Sequence, residues 1–307
     1  MAAGFERLVE FLEELVVTAS TRLPVDVYRA LLEAYGREEE GLARRQLEAM
    51  LRNALLAARL GRPICQDTGV PVFYLRIGVD YPLRGLVEEA AREAVRRATR
   101  RVPLRPNAVD PIHGGNSGDN TGRHVPWLEV ELAPGDRLEA TYAAKGGGSE
   151  APTRLTMANP LEAPERLAET ILEAVAEAGP KPCPPVVVGV GIGGLADQAL
   201  HIAKRMAVLR EIGTRNPDPK LARLEEKLLE AVNSLGIGPH GFGGRTTALA
   251  VHIDYAHRHP ATYAIAVAFN CWATRRASGV IDPSGEWRLT SRHITGREEP
   301  PVKEGEA

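Results

Sequence analysis

Three cysteines, Cys65, Cys183 and Cys271, are the thiols of this 307-residue chain, and they stand far apart along it. Cys65 lies in the turn-rich run Arg62-Pro63-Ile64-Cys65-Gln66-Asp67-Thr68-Gly69. Cys183 lies in Lys181-Pro182-Cys183-Pro184-Pro185, and Cys271 follows Phe269-Asn270. Each is expected where the chain enters or leaves a strand, the place where α/β folds build their sites. No CxxC pair exists, so the spacing does not announce zinc. An isolated cysteine is most often a small buried hydrophobe. None of these three sits in a periodic apolar pattern, however, and each has Pro, Gln-Asp or Asn beside it. Three thiolates can satisfy three irons of a cubane cluster and leave the fourth open. An open iron is a Lewis acid that can hold a carboxylate and a neighbouring hydroxyl, which is the chemistry of adding or removing water. Composition and spacing permit this arrangement and go no further.

Other residue types in the chain suit acid–base and anion work. Asp67, two residues past Cys65, reads either as a proton carrier or as a turn acid bonding nearby backbone N–H groups. Arg105 lies in a long polar loop, and its guanidinium fork suits bidentate carboxylate binding; the alternative is a surface arginine beside Arg100 and Arg101. His257 and His259 lack the second pair that zinc would want. Lys145-Gly146-Gly147-Gly148-Ser149 offers bare backbone N–H groups, a nest that favours anions. It is not a P-loop, because the lysine precedes the glycines. Gly189, Gly191 and Gly194 match G-x-G-x-x-G between a strand and a helix. This gives a rival reading from a different class, a dinucleotide-dependent oxidoreductase built on the Gly189–Gly194 turn. No acid on a second strand about twenty residues on completes that fingerprint.

These residues need elements to position them. Phe5, Leu8, Val9, Leu12, Leu15 and Val16 form one helical face, Pro24 opens a second helix, and Leu42 to Leu60 forms a third that stops at Gly61. Residues 1–60 are thus expected to be helical. Strands are expected at 72–77, 186–190, 246–253 and 262–269. A β pair is expected from 127–132 and 138–142 around Pro134-Gly135-Asp136, and a hairpin over 281–289. Helices are expected at 86–99, 164–177, 195–208 and 221–235. The Pro-, Gly-, Asn- and Asp-rich segment 103–124 is long enough to be functional. Together they predict an α/β (mixed α+β) fold, with a helical N-terminal region and mixed parallel and antiparallel sheets surrounded by helices. Residues 1–294 are expected to form one catalytic domain and 295–307 a mobile tail.

Composition excludes several classes. Lys plus Arg is 38 and Asp plus Glu is 40, giving a formal net charge of −2, so no global field draws in nucleic acid or an anionic membrane. Aromatics are 5%, too few for a base-stacking surface. No run reaches the roughly 18 apolar residues of a membrane span, and the N-terminus lacks a basic-then-apolar leader. Sparse, odd cysteines point to a reducing compartment, and a cytoplasmic location is expected. The Ala/Arg/Leu- and Pro-rich composition is also compatible with a thermophilic source.

Five segments taken together resemble the class I (iron–sulfur) fumarate hydratase and L-tartrate dehydratase family. They are Ile64-Cys65-Gln66-Asp67-Thr68-Gly69; Lys145-Gly146-Gly147-Gly148-Ser149-Glu150; Cys183-Pro184-Pro185 leading into Gly189-Val190-Gly191-Ile192-Gly193-Gly194; Gly243-Gly244-Arg245-Thr246-Thr247-Ala248; and Asn270-Cys271-Trp272-Ala273. The resemblance runs from about residue 5 to about 290 and is nearest to the separate alpha subunit, the N-terminal-domain equivalent of fused enzymes. It implies a 4Fe–4S cluster on Cys65, Cys183 and Cys271, and a dicarboxylate held by Gln66, Asp67, Arg105, Gly148 and His259. Catalytic roles fall to Asp67, Gln66 and His259. The family's pattern carries a histidine twelve residues before the last cluster cysteine, the place of His259. Here His259-Pro260-Ala261 departs from the family's usual run, and the loop Gly118-Asp119-Asn120-Thr121-Gly122 has Gly where Pro is common. The resemblance further implies a separate beta subunit that completes the site in an α2β2 assembly. The expected reaction is reversible hydration of fumarate to (S)-malate, a tricarboxylic acid cycle step, with L-tartrate dehydration as the alternative.

Overall fold

The computed structural model describes residues 2–39 and 41–299. The chain divides into two compact units: Met1–Val25, Asn53–Gly146 and Arg275–Glu299 form the first, and Asp26–Arg52 with Gly147–Thr274 the body of the second. The elements in chain order are α1 (Ala2–Thr21), α2 (Val25–Arg37), α3 (Leu42–Leu60), β1 (Val70–Gly78), α4 (Val87–Arg101), β2 (Trp127–Ala133), β3 (Leu138–Lys145), α5 (Gly147–Glu150), β4 (Arg154–Ala158), α6 (Ala163–Ala178), β5 (Val186–Gly193), α7 (Ala196–Val208), α8 (Pro219–Ser234), β6 (Ala248–Ala256), β7 (Tyr263–Asn270), β8 (Arg276–Ile281) and β9 (Trp287–Leu289). The mixed α/β reading and the helical start both hold.

In the first unit a five-stranded sheet runs β2-β1-β3-β8-β9. Alternation along β1 turns Phe73, Leu75 and Ile77 inward. There they meet Leu8, Leu12 and Leu15 of α1, Ala90, Ala94 and Val95 of α4, and Tyr142 of β3 in one core. Period 2 on the strand and period 3.6 on the helices therefore bury the same layer. The expected β pair of 127–132 with 138–142 is not formed. β1 lies between the two, parallel to β2 and antiparallel to β3. Gly78 makes this possible. A Cβ there would run into the Gly135 carbonyl oxygen, so only glycine lets the turn after β2 fold over the end of β1. The late hairpin is as expected, with Ile281 opposite Trp287. Asp282 closes its turn by accepting from Ser284 N and Glu286 N.

The second unit has the four-stranded sheet β4-β7-β5-β6, in which β5 and β6 are parallel and β7 runs against β5. The apolar run Val186–Val190 is buried on both faces, as a central strand requires. Val188 and Val190 pack with Ile171 and Val175 of α6 and Leu228 and Val232 of α8. α6 starts with Pro at its first turn and stops at Gly179, whose φ is 52. Asp218 caps α8 by accepting from Lys220 N and Leu221 N.

On the other face, α7 lies unusually close to the sheet. A Cβ on Gly189 would enter the Ala203 carbonyl, and one on Gly191 the Ala199 carbonyl. The facing helix residues are Ala199, Ala203 and Ala207, spaced four apart. Gly189 and Gly191 are thus spent on helix–strand packing. That accounts for the G-x-G-x-x-G spacing without a pyrophosphate, and the dinucleotide reading loses its main observation.

Of the expected tail, residues 300–307 lie outside the described residues. Ahead of them, Ile294 is buried and donates to Leu23 O (3.0 Å). The Glu298 carboxylate receives the Thr295 and Gly296 N–H groups, each at 2.8 Å.

Candidate active site

The first unit carries the turn around Cys65. Its entry is fixed by Ile64, which is buried, donates to Ser20 O (3.0 Å) and accepts from Asn53 Nδ2 (2.7 Å). Cys65 and Asp67 are then half-buried and Gln66 is exposed. Asp67 Oδ1 accepts from Gly69 N (2.9 Å) and lies 3.3 Å from Asn107 Nδ2. Gly69 turns the chain with φ 80, and a Cβ there would lie 2.9 Å from the backbone of Ala144 and Lys145. Glycine is therefore required between this turn and β1.

The long loop folds back on the same turn. Thr68 Oγ1 donates to Arg105 O (3.1 Å), which brings Arg105 beside Asp67 with its side chain exposed. Asn107 Nδ2 reaches Thr68 Oγ1 and Gly69 O as well as Asp67. Asn107 is itself held by Asn120, whose Oδ1 accepts from Asn107 N (2.7 Å). Asn120 is buried with φ 61, and its Nδ2 donates to Thr99 Oγ1 (3.2 Å). Asp119 accepts from Thr121 N and Oγ1 and pairs with Arg96. The Asp-Asn-Thr core of the loop is thus the support of Asn107. Asn107 was not singled out from sequence; only the loop's composition pointed near it. Arg275 was missed too. It is buried, its Nη1 donates to Asp67 O, and it stands with the Asp67 carboxylate against Gly146.

The second unit brings Cys183 and Cys271 side by side, since Trp272 N donates to Cys183 O (3.2 Å). Both are thiols, Cys183 exposed and Cys271 half-buried. Cys183 has φ 55, a left-handed conformation that costs an L-residue roughly 1–2 kcal/mol. It is held there by its own bond to Pro180 O (3.0 Å) and by His240 N donating to Pro184 O (2.8 Å). Strain of this kind gathers at working positions. Gly148 backs onto the same loop, because a Cβ on it would lie 2.9 Å from Lys181 O. The segment with Gly243-Gly244-Arg245-Thr246-Thr247 is anchored by buried Glu38, which accepts from Arg245 N (2.9 Å) and Thr246 N (2.8 Å). The His240 imidazole is half-buried, its Nε2 has no hydrogen-bond partner, and burial lowers its pKa from the ordinary value. Glu38 and His240 carried no local signal, since each acts on residues distant in sequence.

His259 is not brought to the cysteines of this unit. It lies before β7 begins, whereas Cys271 follows its end. The eight residues of β7 span about 25 Å of extended chain. At that opposite edge, by the carboxyl ends of β5 and β6, a groove of about 630 Å³ is lined by residues such as Ile192, Leu224, Tyr255, His257 and Tyr263. His259 Nδ1 there accepts from Ala261 N (3.1 Å) and shapes its own turn. Cys183 and Cys271 therefore lie at the amino-terminal edge of β5, opposite the edge where open α/β sheets usually bind ligands. Among the described residues, no three or more His, Cys, Asp and Glu side chains converge as ligands of a metal ion. In a cubane each thiolate meets a different iron, so its ligands stand apart. Accessible thiols, one of them strained into place, suit that donor role. No helix of the described residues is long and apolar enough to cross a membrane.

The fold is mixed α/β, and the candidate residues it carries are thiols, a carboxylate and guanidinium groups. The chain belongs to the fumarate hydratase (Fumerase) family, whose model matches residues 9–280, and it is a hydro-lyase polypeptide. A Methanocaldococcus jannaschii protein named "Putative L(+)-tartrate dehydratase subunit alpha" is 42% identical over 275 residues, covering 88% of this chain and 96% of its own. The proteins named L(+)-tartrate dehydratase subunit alpha in Escherichia coli K12 and Escherichia coli O157:H7 are each 38% identical over 276 residues, covering 90% of this chain and 91% of theirs.

Proposed function

We propose that this chain is the alpha subunit of a two-subunit 4Fe–4S hydro-lyase that converts L(+)-tartrate to oxaloacetate and water. The observation that carries the substrate is the relatives' name, borne by proteins 38–42% identical along nearly their whole length. This replaces the fumarate expectation with its alternative. Fumarate hydration to (S)-malate is the second reading, favoured by the family description alone. In this proposal residues 1–294 act as one catalytic domain, and a separate beta subunit completes the site, in a cytoplasmic α2β2 assembly.

Cys65, Cys183 and Cys271 would hold the cluster. When bound, it supplies a Lewis-acidic iron that polarises the departing hydroxyl. Asp67 moves the proton at the carbon beside a substrate carboxylate, and Gln66 contacts the substrate next to it. The Arg105 fork takes one carboxylate. Gly148 allows the backbone of its loop to approach the substrate. His259, at the far end of β7, stays outside this proton path. Elimination gives the enol of oxaloacetate, which ketonises, so one water leaves and no electrons are exchanged.

The test is a substrate panel on the anaerobically reconstituted complex with its beta partner. L-tartrate and malate differ by one hydroxyl, and a site built to hold that group can discriminate by about 10²-fold or more. The expected result is a kcat/KM for L-tartrate above that for malate or fumarate by at least about that factor. The reverse order would restore the fumarate reading, and inactivity on all dicarboxylates would remove both.

A further inference from the structure

We propose that Arg275 is the positioning residue of the Gln66–Asp67 turn, holding in place the carboxylate that the reading above puts to work. The inference rests on that reading for its catalytic consequence, but its structural part stands on the first unit alone.

Arg275 directly precedes β8, and its carbonyl accepts from Ala144 N (3.2 Å), which fixes its backbone beside β3. Its side chain is inside, for the residue is only 2% exposed. Taking a guanidinium out of water costs several kcal/mol unless it is matched, and an apolar side chain of similar volume would often be as stable. The charge is therefore there for what it touches. Nη1 donates to the main-chain oxygen of Asp67. A Cβ built on Gly146 would lie 3.0 Å from Asp67 Oδ2 and 3.4 Å from Arg275 Nη2, so carboxylate and guanidinium share the bare face of that glycine. Tyr142 lies within the field of this cation. Burial pushes its phenol pKa up, and the Arg275 charge draws it back. Arg275 Nε is buried and has no hydrogen-bond partner.

The position is also one that neither lysine nor a hydrophobe reproduces. A guanidinium can place one nitrogen on a carbonyl and another beside a carboxylate in a fixed plane. Lysine offers one point charge and can recover only the carbonyl bond. Asp67 has its Oδ1 engaged by Gly69 N and Asn107. Arg275 holds the main-chain oxygen of the same residue, so the turn is gripped both at its backbone and at Oδ1.

The experiment compares wild type, Arg275→Met and Arg275→Lys. Hydrogen exchange is read on the full-length chain over residues 65–70, where the Gly69 amide bonded to Asp67 reports the turn. Steady-state kinetics are read on the complex reconstituted with cluster and beta subunit. Arg275→Met is expected to speed exchange in that segment about tenfold and to lower kcat about 10²-fold, the scale of a small misplacement of a reacting group. KM should move less than about threefold, with iron and sulfide content unchanged. Arg275→Lys should recover part of both losses. In an Asp67→Asn background, Arg275→Met should cost little more, because the arginine acts through Asp67. Unchanged exchange in both variants would overturn the proposal. So would a raised KM with kcat intact, which would make Arg275 a substrate clamp, or a full additional loss in the Asp67→Asn background. If Arg275→Met does not fold, the Arg275→Lys exchange and kcat decide by the same criteria. Failure of the hydro-lyase reading would appear as inactivity of the wild-type complex, and the exchange measurement would still judge the turn.

Discussion

Replacing Asp67 by Asn is expected to reduce turnover of the reconstituted complex about 10³-fold or more, with iron and sulfide content unchanged. Asparagine has the same shape, and its side-chain oxygen can still accept from Gly69 N and Asn107 Nδ2, so the turn should persist. What it loses is the ability to take and return a proton. Positioned acid–base groups typically contribute 10²–10⁴-fold, and the effect should fall at the upper part of that range because the proton on carbon is weakly acidic. The measurement is kcat together with the cluster's absorbance and iron content. Wild-type turnover by Asp67→Asn would remove Asp67 from the mechanism. Loss of iron alongside activity would assign it to holding the turn of Cys65 instead.

The second large effect is on the chain taken by itself. Loaded with iron and sulfide but without a beta partner, it is expected to turn over dicarboxylates roughly 10³-fold more slowly than the complex. A substrate with two carboxylates wants a cation at each end. Arg105 is the cation assigned to substrate in this chain, while Arg275 is engaged by the Asp67 turn. A hydrogen bond to a charged group is worth about 1.5–3 kcal/mol, so losing the two bonds of a second bidentate clamp removes roughly two to four powers of ten. The comparison needs only the two preparations under one anaerobic assay. Comparable rates from the isolated chain would reject completion by a partner.

The elements with strong periodicity were readable in advance. Leu8, Leu12 and Leu15 pointed to α1, and Val186–Val190 to the central strand of the second sheet. Pairing was less so. The strands around Pro134-Gly135-Asp136 look like a hairpin because their turn is local, yet β1 separates them. What permits this is a missing side chain at Gly78, far upstream of the turn it accommodates. The glycines of β5 show the same limit. Their spacing imitates a dinucleotide loop, and only the approach of Ala199 and Ala203 reveals a packing role.

The site divides along the same line. Cys65 with Asp67 and Cys183 with Cys271 were marked by unusual neighbours in sequence, and Trp272 N binding Cys183 O brings the latter two together. Arg275, Asn107 and Glu38 escaped notice because each acts across the chain on a backbone atom or a carboxylate, which no local pattern records. His259 was carried by spacing from Cys271. Spacing along an extended strand converts into distance, so twelve residues put His259, expected to contact substrate, at the other end of β7 from Cys271.

The central claim is that Cys65, Cys183 and Cys271 together hold a single cluster. Its most direct test is iron and acid-labile sulfide analysis of the anaerobically reconstituted chain, wild type against Cys65→Ala, Cys183→Ala and Cys271→Ala. The account predicts about four irons and four sulfides per wild-type chain, and loss of that complement in each of the three variants. A variant that keeps the full iron and sulfide content and its visible absorbance would contradict it.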